Sequence, residues 1–358
     1  MKRFTREDSL WVRLQNETRP IFLYGTGNGA DKILDVCAFF NIPVEGVFAS
    51  SDFVRNRTFR DMPVQSISAI EEKYGDDFVV LLAFGTTLSA VAENIRRISE
   101  DHTLYIPEVP LYGRELFTYE YYLENLEKIE MAYSLFADER SKKLYEDMIA
   151  FRLSGEPRYL ENAEEMAVSY RELLLGKVDG IAVDCGAYKG DSTQMMANVL
   201  NSEKIIACEP DPKTFAKLSA YAENERVSKI IPVNAAVGSE DGSLSFMASA
   251  SRGSGKEGLS KSARTKDVPL RKIDSILNGE SVDLLKLDVE GDEKDAILGA
   301  VNTIREHCPN MAVSVYHRTG DIFELPIMIR GYLPNFSFYL RREKCIPAWD
   351  ITLFAVRN

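Results

Sequence analysis

The sequence contains no apolar run long enough to cross a lipid bilayer. Its apolar runs, such as the one from Phe78 to Phe84, fall far short of the roughly 20 residues that a membrane-spanning helix needs. The first residues, MKRFTREDSLWVR, include basic side chains but lack the apolar segment of a secretory signal. We therefore expect a cytoplasmic protein with no membrane partner.

The sequence has few cysteines, and its basic residues are fewer than its acidic ones. The five cysteines are odd in number and none forms a C-x-x-C pair, which argues against a disulfide framework and against a zinc ribbon. The 43 basic residues are outnumbered by 55 acidic ones, giving a net charge of -12. Because this charge repels phosphate groups, nucleic acid is not expected as a partner.

The chain is long enough for about two domains, with 358 residues of which 45% are hydrophobic. From Ile21 the sequence reads as a strand, a glycine-rich turn and a helix, and strands are predicted again at 44–49 and 78–84. We assign residues 1–108 to a Rossmann-like domain of the nucleotide-binding type. Residues 109–176 have apolar side chains at helical spacing and are predicted to form a helical linker.

A second alternation of strands and helices begins at Asp179, and residues 177–358 are assigned to a second α/β domain. The stretch from Ala248 to Lys266 is rich in serine, glycine and lysine and is predicted to be a mobile loop. Strands are predicted at 180–184, 205–208, 230–233, 282–287, 311–316, 336–341 and 351–356.

The sequence VDCGAYKGDS leads from an apolar strand that ends in Asp184 into a helix, through Gly186 and Gly190. Glycines let the backbone approach a ligand closely, and the helix start offers free N–H donors. Three residues separate the two glycines, so the loop lacks the G-x-G-x-x-G pattern that seats a dinucleotide pyrophosphate. A nucleoside cofactor without phosphate, such as S-adenosylmethionine, fits this loop better.

Two further residues support a nucleoside cofactor. Glu209 ends the next predicted strand, 19 residues after Gly190, and an acid at this place can accept both hydroxyls of a ribose. Asn234 follows the third strand, where an adenine edge would lie. The alternative for Asn234, an ordinary turn asparagine, is about equally supported.

Several motifs in the second half occur in the order found in the FkbM family of S-adenosylmethionine-dependent methyltransferases, which the chain resembles over residues 138–356. The motifs are VDCGAYKGDS, CEPDP, NAAVG, VDLLKLDVEGDEKDAILGA and SVYHRTGDIFELP. The resemblance implies a class I, seven-stranded methyltransferase sheet with an antiparallel last strand, and methyl transfer to a hydroxyl oxygen. The cofactor-binding residues are then expected to be Asp184, Gly186, Ala187, Tyr188, Gly190, Asp191, Ser192, Glu209, Asp211, Asn234, Ala235 and Asp288.

Two acids and one histidine are the candidates for catalysis. Asp288 and Glu290 follow the fourth strand and His317 follows the fifth, so all three fall at the carboxyl edge of the predicted sheet. With an ordinary pKa of about 6.5, His317 suits a general base at neutral pH; Asp288 is the second candidate and Asp321 could orient the histidine. The alternatives are that Asp288 caps a helix and that Glu290 pairs with Lys294 on the surface.

We expect no metal at this edge. The alternative is a divalent ion with oxygen ligands from Asp288, Glu290 and Asp321 and a nitrogen ligand from His317.

The first domain carries the sequence YGTGNGA, with Gly25, Gly27 and Ala30 at the spacing of nucleotide-binding turns. Asp52 could meet a ribose after the second strand, although a loop cap is the more ordinary role. No Walker-type lysine follows the glycines, which argues against phosphoryl transfer. Such a domain can bind a nucleotide-linked substrate, regulate the enzyme or form a dimer.

These features together predict an S-adenosylmethionine-dependent O-methyltransferase acting on a hydroxyl of a sugar or related small metabolite. Seven basic residues against two acidic ones between Arg252 and Lys272 would suit a nucleotide-linked acceptor. The alternatives are an NAD(P)-dependent oxidoreductase, with its cofactor at the first glycine turn, and a non-catalytic nucleotide-binding or assembly protein. A homo-oligomer formed through the tyrosine-rich linker is also an open expectation.

Overall fold

The computed structural model describes residues 1–50, 57–223, 229–247 and 265–358. Asp52 and most of the stretch from Ala248 to Lys266, for which a mobile loop was predicted, lie outside these ranges. Within the described residues, every helix is too short or too polar to cross a membrane.

The first half of the chain builds a six-stranded sheet around a fully buried central strand, β1 (Ile21–Tyr24). Its neighbours β2 (Gly46–Phe48) and β5 (Val79–Leu82) run parallel to β1, because each is reached by a helical crossover. The other strands and α-helices of this half are β3 (Thr58–Phe59), β4 (Met62–Gln65), β6 (Thr103–Tyr105), α1 (Leu10–Gln15), α2 (Asn28–Phe39), α3 (Ile67–Tyr74) and α4 (Ser89–Asp101). The strand order is β3-β4-β2-β1-β5-β6.

Four helices follow the first sheet. The third of them, α7 (Glu139–Ser154), is buried along most of its length. Asp138 caps its N-terminus by accepting a hydrogen bond from the Ser141 amide, and Gly155 ends it in the left-handed conformation. Because α7 is apolar on several faces, it packs between the two halves of the chain instead of lying on the surface. The other three are α5 (Tyr119–Glu124), α6 (Leu126–Leu135) and α8 (Met166–Leu174).

The second half builds the seven-stranded sheet of a class I methyltransferase fold. Its order is β15-β16-β14-β13-β7-β8-β9, and β16 runs antiparallel to both of its neighbours. The predicted fold class, an α/β protein with this sheet and an antiparallel last strand, is confirmed. The strands are β7 (Ile181–Cys185), β8 (Lys204–Cys208), β9 (Ile230–Val233), β13 (Leu284–Leu287), β14 (Asn310–Ser314), β15 (Phe336–Arg342) and β16 (Ile351–Arg357).

A small three-stranded sheet, which the sequence analysis did not predict, lies beside the large one in the order β10-β12-β11. Its strands are β10 (Ala236–Val237), β11 (Gly242–Met247) and β12 (Thr265–Arg271), and the helices of the second half are α9 (Asp191–Val199), α10 (Pro212–Ala222), α11 (Ile273–Leu277), α12 (Glu293–Leu298), α13 (Val301–His307) and α14 (Asp321–Tyr332).

One of the hydrophobic clusters extends through both halves of the chain. A single cluster of buried side chains includes Phe22 of β1, Ile149 of α7 and Leu285 of β13. Near the surface, the backbones of Thr86 and Ile346 exchange two hydrogen bonds, of 2.7 and 3.0 Å. The carboxyl edges of the two sheets are thereby held on opposite sides of one cavity.

Candidate active site between the two sheets

The cavity has a volume of about 1750 Å³ and is lined by residues of both halves. Small-molecule sites usually measure about 300 to 1,000 Å³, so this cavity has room for two ligands. The loops that follow β7, β8, β13 and β14 open into it, because parallel strands bring their carboxyl ends to the same edge. From the first half, the turn after β1 and the loop after β5 form the facing wall.

The loop after β7 can be built only with glycine at its first position. Gly186 has a φ of +81°, and a Cβ atom there would lie 1.8 Å from the carbonyl oxygen of Asp288. The amides of Gly186 and Ala187 both donate to the Cys208 carbonyl at 3.0 Å. The loop is therefore pinned against the ends of β8 and β13, with its backbone facing the cavity.

Asp184 supports this loop from beneath. Its side chain is fully buried and accepts hydrogen bonds from Ser192 and Thr193 at the start of α9, at 2.8 and 2.6 Å. It also pairs with the ammonium group of Lys286 at 2.9 Å. Asp184 and Gly190 do not line the cavity, whereas Gly186, Ala187, Tyr188, Asp191 and Ser192 do.

Lys286 is a site residue that the sequence analysis missed. It lies within the buried strand β13, and its Nζ also donates to the Gly186 carbonyl at 3.1 Å. Burial lowers the pKa of Lys286, but Asp184 and Asp288 outweigh this and raise it, so the side chain stays charged. A lone lysine inside an apolar strand is itself a signal, because a buried charge needs a partner.

Glu209 lies at the end of β8 with its carboxylate at the cavity wall. It is 6% exposed, and its two oxygens accept hydrogen bonds from the amides of Tyr188 at 3.0 Å and Asp211 at 2.8 Å. Burial raises its pKa to about 7, against the lowering effect of these amides. Each oxygen has a second lone pair that can accept a ligand hydroxyl.

Asp211 and Asn234, both predicted to bind the cofactor, differ in their placement. Asp211 lines the cavity but serves as the N-cap of α10, accepting from the amides of Lys213 and Thr214. Asn234 does not line the cavity, and its Nδ2 donates to the carbonyls of Glu209 and Pro210 at 2.8 and 3.2 Å. Asn234 therefore has the turn role that the sequence analysis left open, while its neighbour Ala235 reaches the cavity.

The three predicted catalytic side chains meet at one point. The Nε2 atom of His317 lies 3.6 Å from Asp288 Oδ1 and 3.7 Å from Glu290 Oε2. His317 is 1% exposed, whereas the side chains of Asp288 and Glu290 are about one-third exposed, at 34% and 35%. A ligand in the cavity therefore meets the carboxylates before it meets the imidazole.

A fourth member of the cluster, Glu293, was not predicted. Its Oε1 accepts a hydrogen bond from His317 Nδ1 at 2.9 Å and another from the Val289 amide at 2.8 Å. Glu293 is 1% exposed, so the pair is buried. This contact keeps a proton on Nδ1 and aims Nε2 at Asp288 and Glu290.

The environment of His317 changes the role expected for it. Burial lowers its pKa, but the carboxylates of Glu293, Asp288 and Glu290 together raise it to about 10. With an ordinary pKa, as expected from the sequence, His317 would be a free base at neutral pH. The structure instead favours an imidazolium, because three carboxylates surround the ring.

This raised pKa predicts a pH-dependent stability. With a folded-state pKa of about 10 against an ordinary 6.5, the pairing of His317 stabilises the fold fully below pH 6.5, and its contribution is lost as the pH rises through about 10. The free energy of unfolding should therefore decline between these pH values. A His317→Gln variant, which keeps a donor for Glu293, should lose this component. Urea unfolding at pH 6, 8 and 10 gives the free energy of unfolding of both proteins. An equal decline of this free energy with pH in the wild-type protein and the variant would contradict the assignment.

Asp321 does not belong to this cluster. Its carboxylate accepts from the Arg318 amide at 2.8 Å, and burial raises its pKa to about 7. Within the described residues, Asp288, Glu293 and His317 bring ligand atoms within 4.8 Å of one another, a spacing that could hold an ion. Because a histidine must lose its proton to bind a metal, a proton on His317 and a divalent ion would compete for this cluster.

The glycine turn of the first half faces the same cavity. Gly25 has a φ of +120°, and a Cβ atom at Gly29 would lie 2.3 Å from the Ala83 carbonyl oxygen. α2 begins at Asn28, and Lys32 in its second turn donates to the carbonyls of Pro110 and Leu111. The two glycine turns thus contribute opposite walls of one site.

Comparisons with known proteins agree with this architecture. Residues 184–340 match the sequence model of the family described as Methyltransferase FkbM domain. No curated protein matches the sequence. The crystal structure of methyltransferase FkbM from Methylobacillus flagellatus KT superposes with a TM-score of 0.71 at 19% identity, covering 95% of this chain and 90% of that one. This likeness therefore extends over both sheets.

Two further solved structures each match about half of the chain. Aeropyrum pernix fibrillarin with bound S-adenosyl-L-methionine has a TM-score of 0.33 and 14% identity, covering 53% of this chain and 73% of that one. A putative methyltransferase from Streptococcus mutans in complex with SAH has a TM-score of 0.33 and 12% identity, with coverages of 54% and 96%. Residues 184–340, which include the strand ends at the cavity, match a methyltransferase FkbM domain, and the protein is an enzyme of the methyltransferase class.

Proposed function

We propose that the protein is an S-adenosylmethionine-dependent O-methyltransferase that acts on a hydroxyl group of a sugar or related small metabolite. The observation that carries the proposal is the placement of Glu209 and Asp288 on one cavity, at the ends of β8 and β13. The first acid suits the ribose of a nucleoside, and the second suits a proton transfer. The match to a methyltransferase domain favours this function over the alternative of an NAD(P)-dependent oxidoreductase.

The residues present fit this cofactor. Glu209 offers acceptors for the ribose hydroxyls, and Gly186, Ala187 and Tyr188 border the cavity. The Nε2 atom of His317 is buried and has no hydrogen-bond partner, so a polar group is still missing from this end of the site. When bound, S-adenosylmethionine supplies a methyl carbon that passes from its sulfonium sulfur to the acceptor oxygen.

The acceptor hydroxyl must lose its proton as the new bond forms, and we assign this proton to Asp288. Its carboxylate is partly exposed to the cavity, while the histidine beside it is buried and already protonated. His317 then acts as a fixed cation beside Asp288 and Glu290; burial raises the pKa of Glu290, and the charge of His317 acts against this rise. Asp288 thus replaces His317 as the first candidate for the general base, whereas the sequence favoured His317.

Alignment of the acceptor should supply most of the rate enhancement. Holding two reactants in line can contribute about 7 to 11 kcal/mol, and a positioned base typically adds roughly 10²- to 10⁴-fold. The wall formed by the first half gives the acceptor a second surface opposite the carboxylates. We therefore expect the hydroxylated acceptor to bind between the two sheets.

Incubation of the purified protein with methyl-labelled S-adenosylmethionine and a panel of free and nucleotide-linked sugars tests the proposal. We expect label on a sugar oxygen, and binding of S-adenosylhomocysteine but not NAD in calorimetry. Labelling of nucleotide-linked sugars alone would identify the acceptor as an anionic one. Binding of NAD in place of S-adenosylhomocysteine, or transfer of label to a nitrogen or carbon acceptor, would contradict it.

A further inference from the structure

The segment of residues 107–112, which we name the crossover segment, leads from the first sheet to the active-site cluster and is anchored along its length. Glu108 pairs with Arg152 of α7 at 3.2 Å. The ammonium group of Lys32 holds the carbonyls of Pro110 and Leu111 at 2.5 and 3.0 Å. The segment therefore has a fixed position relative to both halves.

Tyr112, at the end of the crossover segment, is built into the cluster. Its hydroxyl donates a 2.7 Å hydrogen bond to Glu290 Oε2, and its side chain is buried, with 7% of the residue exposed. Its ring packs on Gly291, where a Cβ atom would lie 3.2 Å away, and meets the His317 ring edge-on at 5.9 Å between centroids. The backbone amide of Tyr112 also donates to the His317 carbonyl at 3.4 Å.

The hydrogen bond from Tyr112 fixes the position of the Glu290 carboxylate, which is partly exposed to the cavity. Glu290 lies in a tight turn with a φ of +58° and has about one-third of its side chain exposed. Without a partner, such a carboxylate gains solvation by turning toward water. With Tyr112 in place, the oxygen stays 3.7 Å from the Nε2 atom of His317.

We propose that Tyr112 is a positioning residue for methyl transfer, acting through Glu290, and that a residue outside 184–340 thereby completes the catalytic cluster. This inference rests on the proposed function for the identity of the reaction, methyl transfer, but not for the contact between Tyr112 and Glu290. Neither the family match nor the predicted helical linker assigns Tyr112 any role.

The variant Tyr112→Phe tests the inference, because it removes the hydroxyl and keeps the ring. The chain has three histidines, so substitution of His102 and His307 assigns the imidazole signals of His317 in NMR spectra. In Tyr112→Phe we expect these signals to move at constant pH. With an acceptor found by the methylation screen, turnover should fall about tenfold or more, the effect of one hydrogen bond to a charged group, while the affinity for S-adenosylhomocysteine changes less than about twofold.

Tyr145→Phe is the matched control. Tyr145 is also buried, and its hydroxyl donates a hydrogen bond of 3.1 Å to the Ile129 carbonyl, but it lies outside the cluster. The substitution therefore removes a comparable hydrogen bond at another place. Its removal should leave the His317 signals in place. In a Glu290→Gln background, Tyr112→Phe should add less than about a third of its original shift, because the two residues act as a pair.

Unmoved His317 signals in Tyr112→Phe, or the full shift in the Glu290→Gln background, would overturn the inference. These spectra do not require a methyl donor. A failure of the wild-type protein to bind S-adenosylhomocysteine would therefore overturn the proposed function and leave the test of Tyr112 intact.

Discussion

A Glu209→Ala variant is expected to bind S-adenosylhomocysteine at least about 100-fold more weakly than the wild-type protein. The carboxylate lies at the cavity wall, with both oxygens oriented by the amides of Tyr188 and Asp211. Two hydrogen bonds to a charged acceptor, at about 1.5 to 3 kcal/mol each, account for a loss of this size. Calorimetry measures the dissociation constants directly.

Glu209→Gln provides the control for this prediction. It keeps the shape of the side chain and one oxygen acceptor, so we expect an intermediate loss. Because burial raises the pKa of Glu209 to about 7, wild-type affinity should also fall as the pH drops below 7, up to about tenfold per pH unit. Glu209→Gln should lack this dependence. Unchanged affinity in Glu209→Ala would remove the ribose assignment.

An Asp288→Asn variant is expected to lose roughly 10²- to 10⁴-fold in turnover, the range for a positioned general base. The substitution keeps the size of the side chain and its contact distance to His317. It removes the group that we expect to take the acceptor proton. The affinity for S-adenosylhomocysteine should change much less, since Glu209 and the loop of Gly186 remain in place.

The pH dependence of turnover separates Asp288 from His317 as the base. With Asp288 as base, turnover should be nearly flat between pH 7.5 and 9 and should fall near pH 10, where His317 loses its proton. With His317 as base, turnover would instead rise about tenfold per pH unit up to pH 10. Such a rise, together with an active Asp288→Asn variant, would reverse our assignment.

The strand ends of the second half could be predicted because parallel sheets place them at a common edge. Gly186, Glu209, Asp288, Glu290 and His317 each follow a short apolar strand, and all of them line the cavity. The spacing of strands and glycines along the sequence carries this information. It predicts which residues share an edge, although not which atoms meet.

The remaining site residues depend on contacts between distant parts of the chain. Tyr112 contacts Glu290 across 178 positions, and no local pattern marks it among the other tyrosines of the linker. Glu293 reads as an ordinary acid at the start of a helix, yet it is buried against His317. The number of carboxylates around His317 therefore could not be predicted from the sequence.

The two halves also meet in a way that their separate patterns do not predict. Each glycine turn suggests its own ligand site, but the buried helix α7 and the contact between Thr86 and Ile346 bring both turns to one cavity. The first half thus forms one wall of this cavity. We expect its glycine turn to lie beside the acceptor because of this tertiary packing.

A crystal structure of the complex with S-adenosylhomocysteine tests the central claim most directly. We predict both ribose hydroxyls within about 3 Å of the Glu209 carboxylate, with the sulfur atom on the side of the cavity that holds Asp288. An adenosyl group bound at the turn of Gly25 to Ala30, or a ribose without contact to Glu209, would contradict this account.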